Sequence, residues 1–168
     1  MNIRRLEAST DVPAFREIRI ESTREAPESF RATEEEMRST PVEIFRDQLS
    51  GHDGGPFFIG AFVESELVGV AALFFEEGQK LSHKATVGSV FVTPASRKKG
   101  IGRALMTELL RMARDDEKLE QLNLTVSVTN ETAVKLYESI GFSIFGREPN
   151  AAYVDGKGYD EYHMQCVL

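Results

Sequence analysis

"VFVTPASRKKGIGRALM", Val90 to Met106, carries the reading on which the fold turns. A β-branched and aromatic run stops at Pro94, passes three consecutive basic residues and two glycines, and opens directly into an apolar-periodic segment. That order spells a strand, a loop and the start of a helix. Gly100 and Gly102 stand at the head of the helix, whereas glycine's ordinary preference lies past the C-terminal end. Each costs about 1 kcal/mol relative to alanine inside a helix. Bare backbone is therefore required there, and close approach of a ligand requires it. A helix N-terminus presents unpaired N–H groups and about half a positive charge, which suits a phosphate. Between Pro94 and Arg114 lie six basic residues (Arg97, Lys98, Lys99, Arg103, Arg111 and Arg114) against one acid, Glu108. Such an excess in a chain of net charge −7 points to a small anionic ligand.

The bulk composition narrows the classes further. With 168 residues, 41% hydrophobic and 28% charged, the chain suits one globular domain with a proper core, expected over residues 1–168. Its acidity argues against a nucleic-acid partner. The longest apolar run, Leu67 to Phe75, is interrupted by Gly69 and too short to span a bilayer as a helix, so no membrane partner is expected. "MNIRRLEAST" lacks the apolar stretch of a signal peptide. Cys166 has no second cysteine to pair with, which fits a reducing, cytoplasmic compartment. His52, His83 and His163 are scattered without metal-ligand spacing, so no metal is expected.

The remaining elements follow from periodicity and caps. "NIRRLEA" reads as a short strand, and "TDVPAFREIRIESTREA" as a helix with Thr10 or Asp11 as cap and Pro13 in its first turn. Thr33 and Glu36 have capping-box spacing. Thr40-Pro41 places a proline at the first position of "VEIFRDQLS". "GHDGG" is a loop. Pro56–Val63 and Leu67–Phe75 read as a hairpin through "ESE", and "ATVGSVFVTP" as a third strand. In the helix from Gly100 to Asp116, Ile101, Leu105, Leu109 and Met112 form the apolar stripe. "QLNLTVSV" alternates as a strand. "NETAVKLYESIGF" is a short helix capped by Asn130 and ended by Gly141. "FSIFGRE" and "YDEYHMQCVL" are strands around an Asp155-Gly156 turn. The order is one strand, two helices, three strands, helix, strand, helix and two strands, which favours a mixed α/β sheet.

Walker-type and dinucleotide glycine motifs are absent. Arg97-Lys98-Lys99-Gly100-Ile101-Gly102 instead resembles the R/Q-x-x-G-x-G/A signature of the GNAT superfamily of N-acetyltransferases, and "NLTVSVTNETAVKLYESIGF", Asn123 to Phe142, resembles its second block. The likeness covers about Thr86 to Phe145. It implies a single domain whose mixed sheet, flanked by helices, is splayed between two central parallel strands, here "TVGSVFV" and "NLTVSV". It implies acetyl-CoA as cosubstrate, with the pyrophosphate held by backbone N–H groups around Lys98 to Arg103. The backbone of Val90 and Val92 would pair with the pantetheine arm as an added strand. By the same resemblance the Val90 N–H stabilises the developing oxyanion, Tyr137 protonates the leaving sulfur, and Asn130 both caps its helix and contacts the cofactor arm.

The acceptor and the base stay open at this level. A glutamate that some family members place early in the strand falls, by ungapped count, on Thr86. The base candidates are then Glu76, Glu77, His83, an acid of the early helices, or a water chain. "EAPESFRATEEE" with Glu21 would form an acidic lip for a cationic amine: a polyamine, an aminoglycoside, or a protein lysine or N-terminus. Tyr153 and Tyr159 could line the same opening. Acyl groups longer than acetyl and a homodimer stay among the options. A catalytically idle acyl-CoA-binding sensor or regulatory module is the alternative reading.

Overall fold

The computed structural model describes residues 1–51 and 55–168; the middle of the loop read at "GHDGG", His52 included, lies outside them. The elements are β1 (Asn2–Arg5), α1 (Val12–Glu25), α2 (Glu34–Ser39), α3 (Val42–Leu49), β2 (Phe57–Val63), β3 (Glu66–Phe75), β4 (Lys84–Val92), α4 (Ile101–Arg114), β5 (Gln121–Ser127), α5 (Glu131–Ser139), β6 (Ser143–Val154) and β7 (Lys157–Val167). Single 3-10 turns at Pro27–Ser29 and Pro94–Ser96 precede α2 and α4.

All the described strands form one sheet in the order β1-β2-β3-β4-β5-β7-β6. Only β4 and β5 run parallel, and they pair over three rungs, Lys84–Gln121, Ala85–Leu122 and Thr86–Asn123. Beyond Thr86 they part, while β5 stays paired to β7 as far as Ser127–Glu161. The expected mixed, splayed α/β sheet is therefore present. The β2–β3 turn is made by Glu64 and Ser65, both with positive φ (49° and 71°), the conformation that suits a two-residue hairpin.

Two cores flank the sheet. One gathers Ala85, Val87, Leu105, Leu109, Leu122 and Leu124 under α4 and α5. The other packs Phe15 and Ile18 of α1 and Phe45 of α3 against Phe58, Val70 and Ala72. The Phe15 ring meets Phe58 edge-on at 4.7 Å, and Phe58 meets Phe74 at 5.9 Å, so aromatic rings tier across this second face. Arg19 lies over Phe15 and Phe58, and burial pulls its guanidinium down to about 10.

Three readings of the sequence need correcting. Three helices, not two, precede β2, because Pro41 cannot continue α2 and instead serves as the N-cap of α3. The buried stripe of α4 is broader than read: Met106, Leu110 and Ala113 are buried with Ile101, Leu105 and Leu109, while Met112 is only partly buried. Asp11 stands at the N-cap of α1 but makes no side-chain cap. Its carboxylate accepts from both Arg4 terminal nitrogens, at 2.6 and 2.8 Å, and from the Glu7 N–H at 2.7 Å, tying β1 to α1. The Thr33–Glu36 capping box and the Asn130 cap form as read.

The Arg4 hydrogen bonds hold the Asp11 carboxyl below the usual carboxylate range. A depressed folded-state value means stability that is present above the unfolded value near 3.9 and is lost as pH falls through the folded one. Asp11→Asn should cost about 2 kcal/mol at neutral pH. Urea unfolding should show that deficit shrinking as pH falls below ~4, where the unfolded-state carboxyl takes up a proton that the folded state still refuses.

Candidate active site

The loop after β4 brings most of the predicted residues to one end of the fork. Gly100 is the N-cap of α4 at φ 80°, in the left-handed region, and Lys98 also has positive φ (62°). A side chain at Gly100 would meet nothing within 4 Å, so conformation, not crowding, demands glycine there. Gly102 differs. Its φ is ordinary, and an added Cβ would lie 3.6 Å from Leu136 and 3.9 Å from Val92, ordinary contact distances. The fold alone does not require glycine at 102. That position marks where α4, the end of β4 and α5 converge.

Side chains reinforce the junction. Arg103 donates to the Ser139 hydroxyl at 2.8 Å, joining α4 to α5. Arg97 donates through Nε to the Val92 carbonyl at 3.0 Å and lies over the Phe91 ring. Lys98 and Lys99 are exposed on the loop, and Ile101 is buried, so only its backbone faces the helix tip. The six cations counted between Pro94 and Arg114 do not form one patch. Arg111 sits in the last turns of α4, paired with Glu108 at 2.8 Å and Asp115 at 2.6 Å. The loop's own charge comes from Arg97, Lys98, Lys99 and Arg103.

Midway along β4 the register breaks. Phe91 pairs with Val70 and Gly88 with Ala72, leaving Ser89 and Val90 opposite Ala71 alone. Ser89 adopts φ 53°. This two-against-one bulge re-aims the backbone at the level where β4 has already left β5. Its position was not read from the sequence, because a serine with positive φ leaves no compositional mark.

Across the fork, Asn130 accepts from the Ala133 N–H at 3.2 Å. Tyr137 belongs to the core cluster against which Val90, Val92, Ala133 and Leu136 pack, and its ring lies 6.0 Å from Phe142. Burial pushes its phenol up to about 12, so it holds its proton throughout the neutral range.

On the α1 face the floor of the fork is polar. Thr86, last of the parallel rungs, donates its hydroxyl to Glu76 Oε1 at 3.0 Å. Farther along this face, a cavity of about 590 Å³ separates the α1–α2 connection from the β6–β7 hairpin. Its lining includes Glu28, Glu34, Glu148, Asp155 and Glu161 against Arg24 and Arg31. Part of the acidic lip read from sequence is thus real, although Glu36 is consumed by its capping box and Glu34 also pairs with Arg38. Tyr153 lines the cavity; Tyr159 instead lies beneath Lys157.

Among the described residues no group of three or more His, Cys, Asp or Glu side chains is placed to hold a metal, and no helix is long and apolar enough to cross a membrane.

A mixed sheet forked between its parallel strands, with a glycine-tipped helix at the fork, defines a class. The chain belongs to the acetyltransferase (GNAT) family, which matches residues 14–142. The L-amino acid N-acetyltransferase AaaT of Escherichia coli (strain K12) is 30% identical over 107 residues, 64% of this chain and 65% of that protein. The chain thus aligns with just under two thirds of that relative's length. The N-alpha-acetyltransferase RimI of Mycobacterium tuberculosis (strain ATCC 25618 / H37Rv) is 32% identical over 125 residues, covering 74% and 73% of the two chains. Among solved structures, yncA of Salmonella typhimurium, a putative acetyltransferase with its cofactor acetyl-CoA, superposes with a TM-score of 0.87 at 20% identity, covering 100% of this chain and 94% of that one.

The two glycines should separate on folding. Gly100→Ala should destabilise by about 1 kcal/mol or more, the cost of a left-handed β-carbon. Gly102→Ala should leave stability unchanged or raise it by up to about 1 kcal/mol. Urea midpoints at constant slope would show both.

Proposed function

We propose that this chain, acting as one domain over residues 1–168, transfers the acetyl group of acetyl-CoA to a primary amine by direct attack in a ternary complex. One observation carries the reading: β4 and β5 part immediately above Thr86–Asn123, beside a helix tip that opens on the left-handed Gly100 with unpaired N–H groups. An extended thioester arm fits that opening, and a pyrophosphate suits the tip.

The roles follow from position. Backbone N–H groups from Lys98 to Arg103 hold the diphosphate, with Lys98 and Lys99 adding charge. The donors fit: the first turn of α4 lacks intrahelical acceptors for its N–H groups, and Gly102 offers them without a covering side chain. Val90 and Val92 present backbone groups to the amides of the arm. The Val90 N–H, carried on the bulge, donates to the carbonyl oxygen as charge builds there. Tyr137 gives its proton to the departing sulfur, and Asn130 holds the head of α5 beside the arm.

The acceptor is an α-amine, of an amino acid or a peptide N-terminus. The names of the relatives point this way, and so does the acid–base arithmetic. A peptide N-terminal amino group near 7.7–8.0 is ~10% neutral at pH 7, whereas a lysine-like amine near 10.4 is well under 1% neutral; the α-amine of a free amino acid, beside its own carboxylate, is more basic than the peptide one. The carboxylates lining the 590 Å³ cavity would draw the cationic ammonium inward. Cytoplasmic location fits the lone buried thiol. A homodimer would form through β6, where Ile144 and Phe145 are exposed. The acidity disfavours nucleic acid.

Gly102→Ala, which the signature admits, should bind coenzyme A within a few fold of wild type. Gly100→Glu puts bulk and negative charge at the helix tip, and its affinity measured by calorimetry should fall at least tenfold below that of Gly100→Ala, which carries the same left-handed folding cost. Undiminished affinity would remove the loop from the binding site. Tyr137→Phe should spare that affinity and slow free-thiol release about 10- to 100-fold with acetyl-CoA and an α-amine. An unchanged rate would take the tyrosine out of the chemistry.

A further inference from the structure

Thr86 occupies the strand position at which the resemblance implies a glutamate in some relatives, and the structure puts a carboxylate beside it from the chain just past the neighbouring strand. Thr86 pairs with Phe74 of β3, so the two side chains share a face. Glu76 lies two residues beyond Phe74, just past the end of β3, and accepts the Thr86 hydroxyl at 3.0 Å. The face is that of α1, because Phe74 meets Phe58 edge to face and Phe58 meets Phe15 likewise. Ala85 and Val87, the flanking residues, are buried toward α4. Thr86 is also the last residue of β4 that pairs with β5. The carboxylate therefore sits at the floor of the fork, on the side opposite α4 and the glycine-tipped loop.

We propose that Glu76, held by Thr86, takes the proton that the acceptor ammonium must lose, through one intervening water. The inference rests on the acetyl-transfer reading above. From Thr86 to Val90 the strand advances roughly 10–13 Å. That distance leaves room for the acceptor nitrogen and one water between the carboxylate and the bulge. The Thr86 hydroxyl spends its hydrogen on Glu76, so its oxygen lone pairs remain free to accept from that water. Thr86 is thus a positioning residue and Glu76 the proton acceptor.

The step balances. The ammonium gives one proton through water to Glu76. The freed lone pair forms the C–N bond, the C–S bond breaks, and Tyr137 protonates the sulfur. The second nitrogen-bound proton restores the phenol, and Glu76 releases its proton to solvent. The net products are the amide, the free thiol and one proton.

The charged groups around Glu76 come from three elements. Glu77 follows it in the chain, and His83 and Lys84 lie at and just before the start of β4. Arg19 of α1 lies over the Phe58 end of the aromatic tier. β5 supplies only amides there, Gln121 donating to Asn123 at 2.7 Å.

Three variants test the assignment: Glu76→Gln, Thr86→Val and Thr86→Ser. Glu76→Gln keeps the shape and can still accept from Thr86, so coenzyme A affinity and melting temperature should match wild type. Its kcat with a peptide α-amine should fall about 100-fold at pH 7 and recover toward wild type by pH 9, where the amine deprotonates unaided. Thr86→Val should lose roughly tenfold in kcat, the scale of one hydrogen bond to a charged group, and Thr86→Ser should restore it. A Glu76→Gln rate within twofold of wild type at pH 7 would overturn the proposal. So would a deficit that stays constant up to pH 9, since a merely structural loss has no reason to track amine ionisation. A wild-type protein that binds coenzyme A yet releases no thiol with any α-amine would fail the acetyl-transfer reading itself, before any variant is made.

Discussion

The separation of β4 from β5 governs everything else in this molecule. Parallel strands that begin to pair ordinarily continue, because each abandoned rung leaves an N–H and a carbonyl to be satisfied elsewhere. Here pairing ends after Thr86–Asn123 although both strands continue for several residues. The fork is not fraying. β5 is held along its outer side by β7 as far as Ser127, and β4 by β3 on both sides of its bulge. Each strand is thus anchored on one edge and open on the other, and the two open edges face each other. Gly102 stands where α4 converges with Val92 and Leu136 at the top of the gap.

This geometry gives the two faces of the sheet different chemistry. On the α4 side lie the helix tip, the loop cations and Tyr137, whose buried phenol holds its proton. On the α1 side lie the aromatic tier, the Thr86–Glu76 pair and, farther along, the carboxylate-lined cavity. A reaction that needs one group to give a proton and another to take one is served by holding the two on opposite faces. The sheet itself does the separating, and the fork is the passage between its faces.

How much of this the sequence announces depends on whether a feature leaves a mark in residue type. Helix ends do: Thr33 with Glu36, Asn130 and Gly141 all sit where their side chains or lack of one predicted. The parallel pair followed from the resemblance that the two motif blocks carry, whereas the order of the strands across the sheet leaves no mark in either block. The Ser89–Val90 bulge did not, since serine carries no signature of a left-handed backbone. Charge was legible in amount but not in place. Arg111 was counted with the loop although it lies near the far end of α4 and is neutralised by Glu108 and Asp115. Asp11 was read as a cap because of its position, yet a bidentate guanidinium from β1 outcompeted the helix N–H groups for its oxygens. The Thr86–Glu76 pair was invisible for the opposite reason. Its partners are ten residues apart, Thr86 on β4 and Glu76 just past the end of β3, and only the cross-strand register brings them together.

That register also explains how a chain can place threonine where a carboxylate is looked for and still carry one at the fork. In an antiparallel pair, residues opposite one another share a face, and so does the residue two places on. Phe74 opposite Thr86 fixes the face, and Glu76 extends it by one step beyond the pairing. The carboxylate then reaches the fork laterally rather than from the strand that bears the bulge. Such a group stands farther from the attacked carbonyl than one on β4 itself, so a water must span the difference. A relay of that length suits an amine that is already partly neutral near pH 7, as a peptide α-amine is, better than a lysine that must be stripped of its proton almost from scratch.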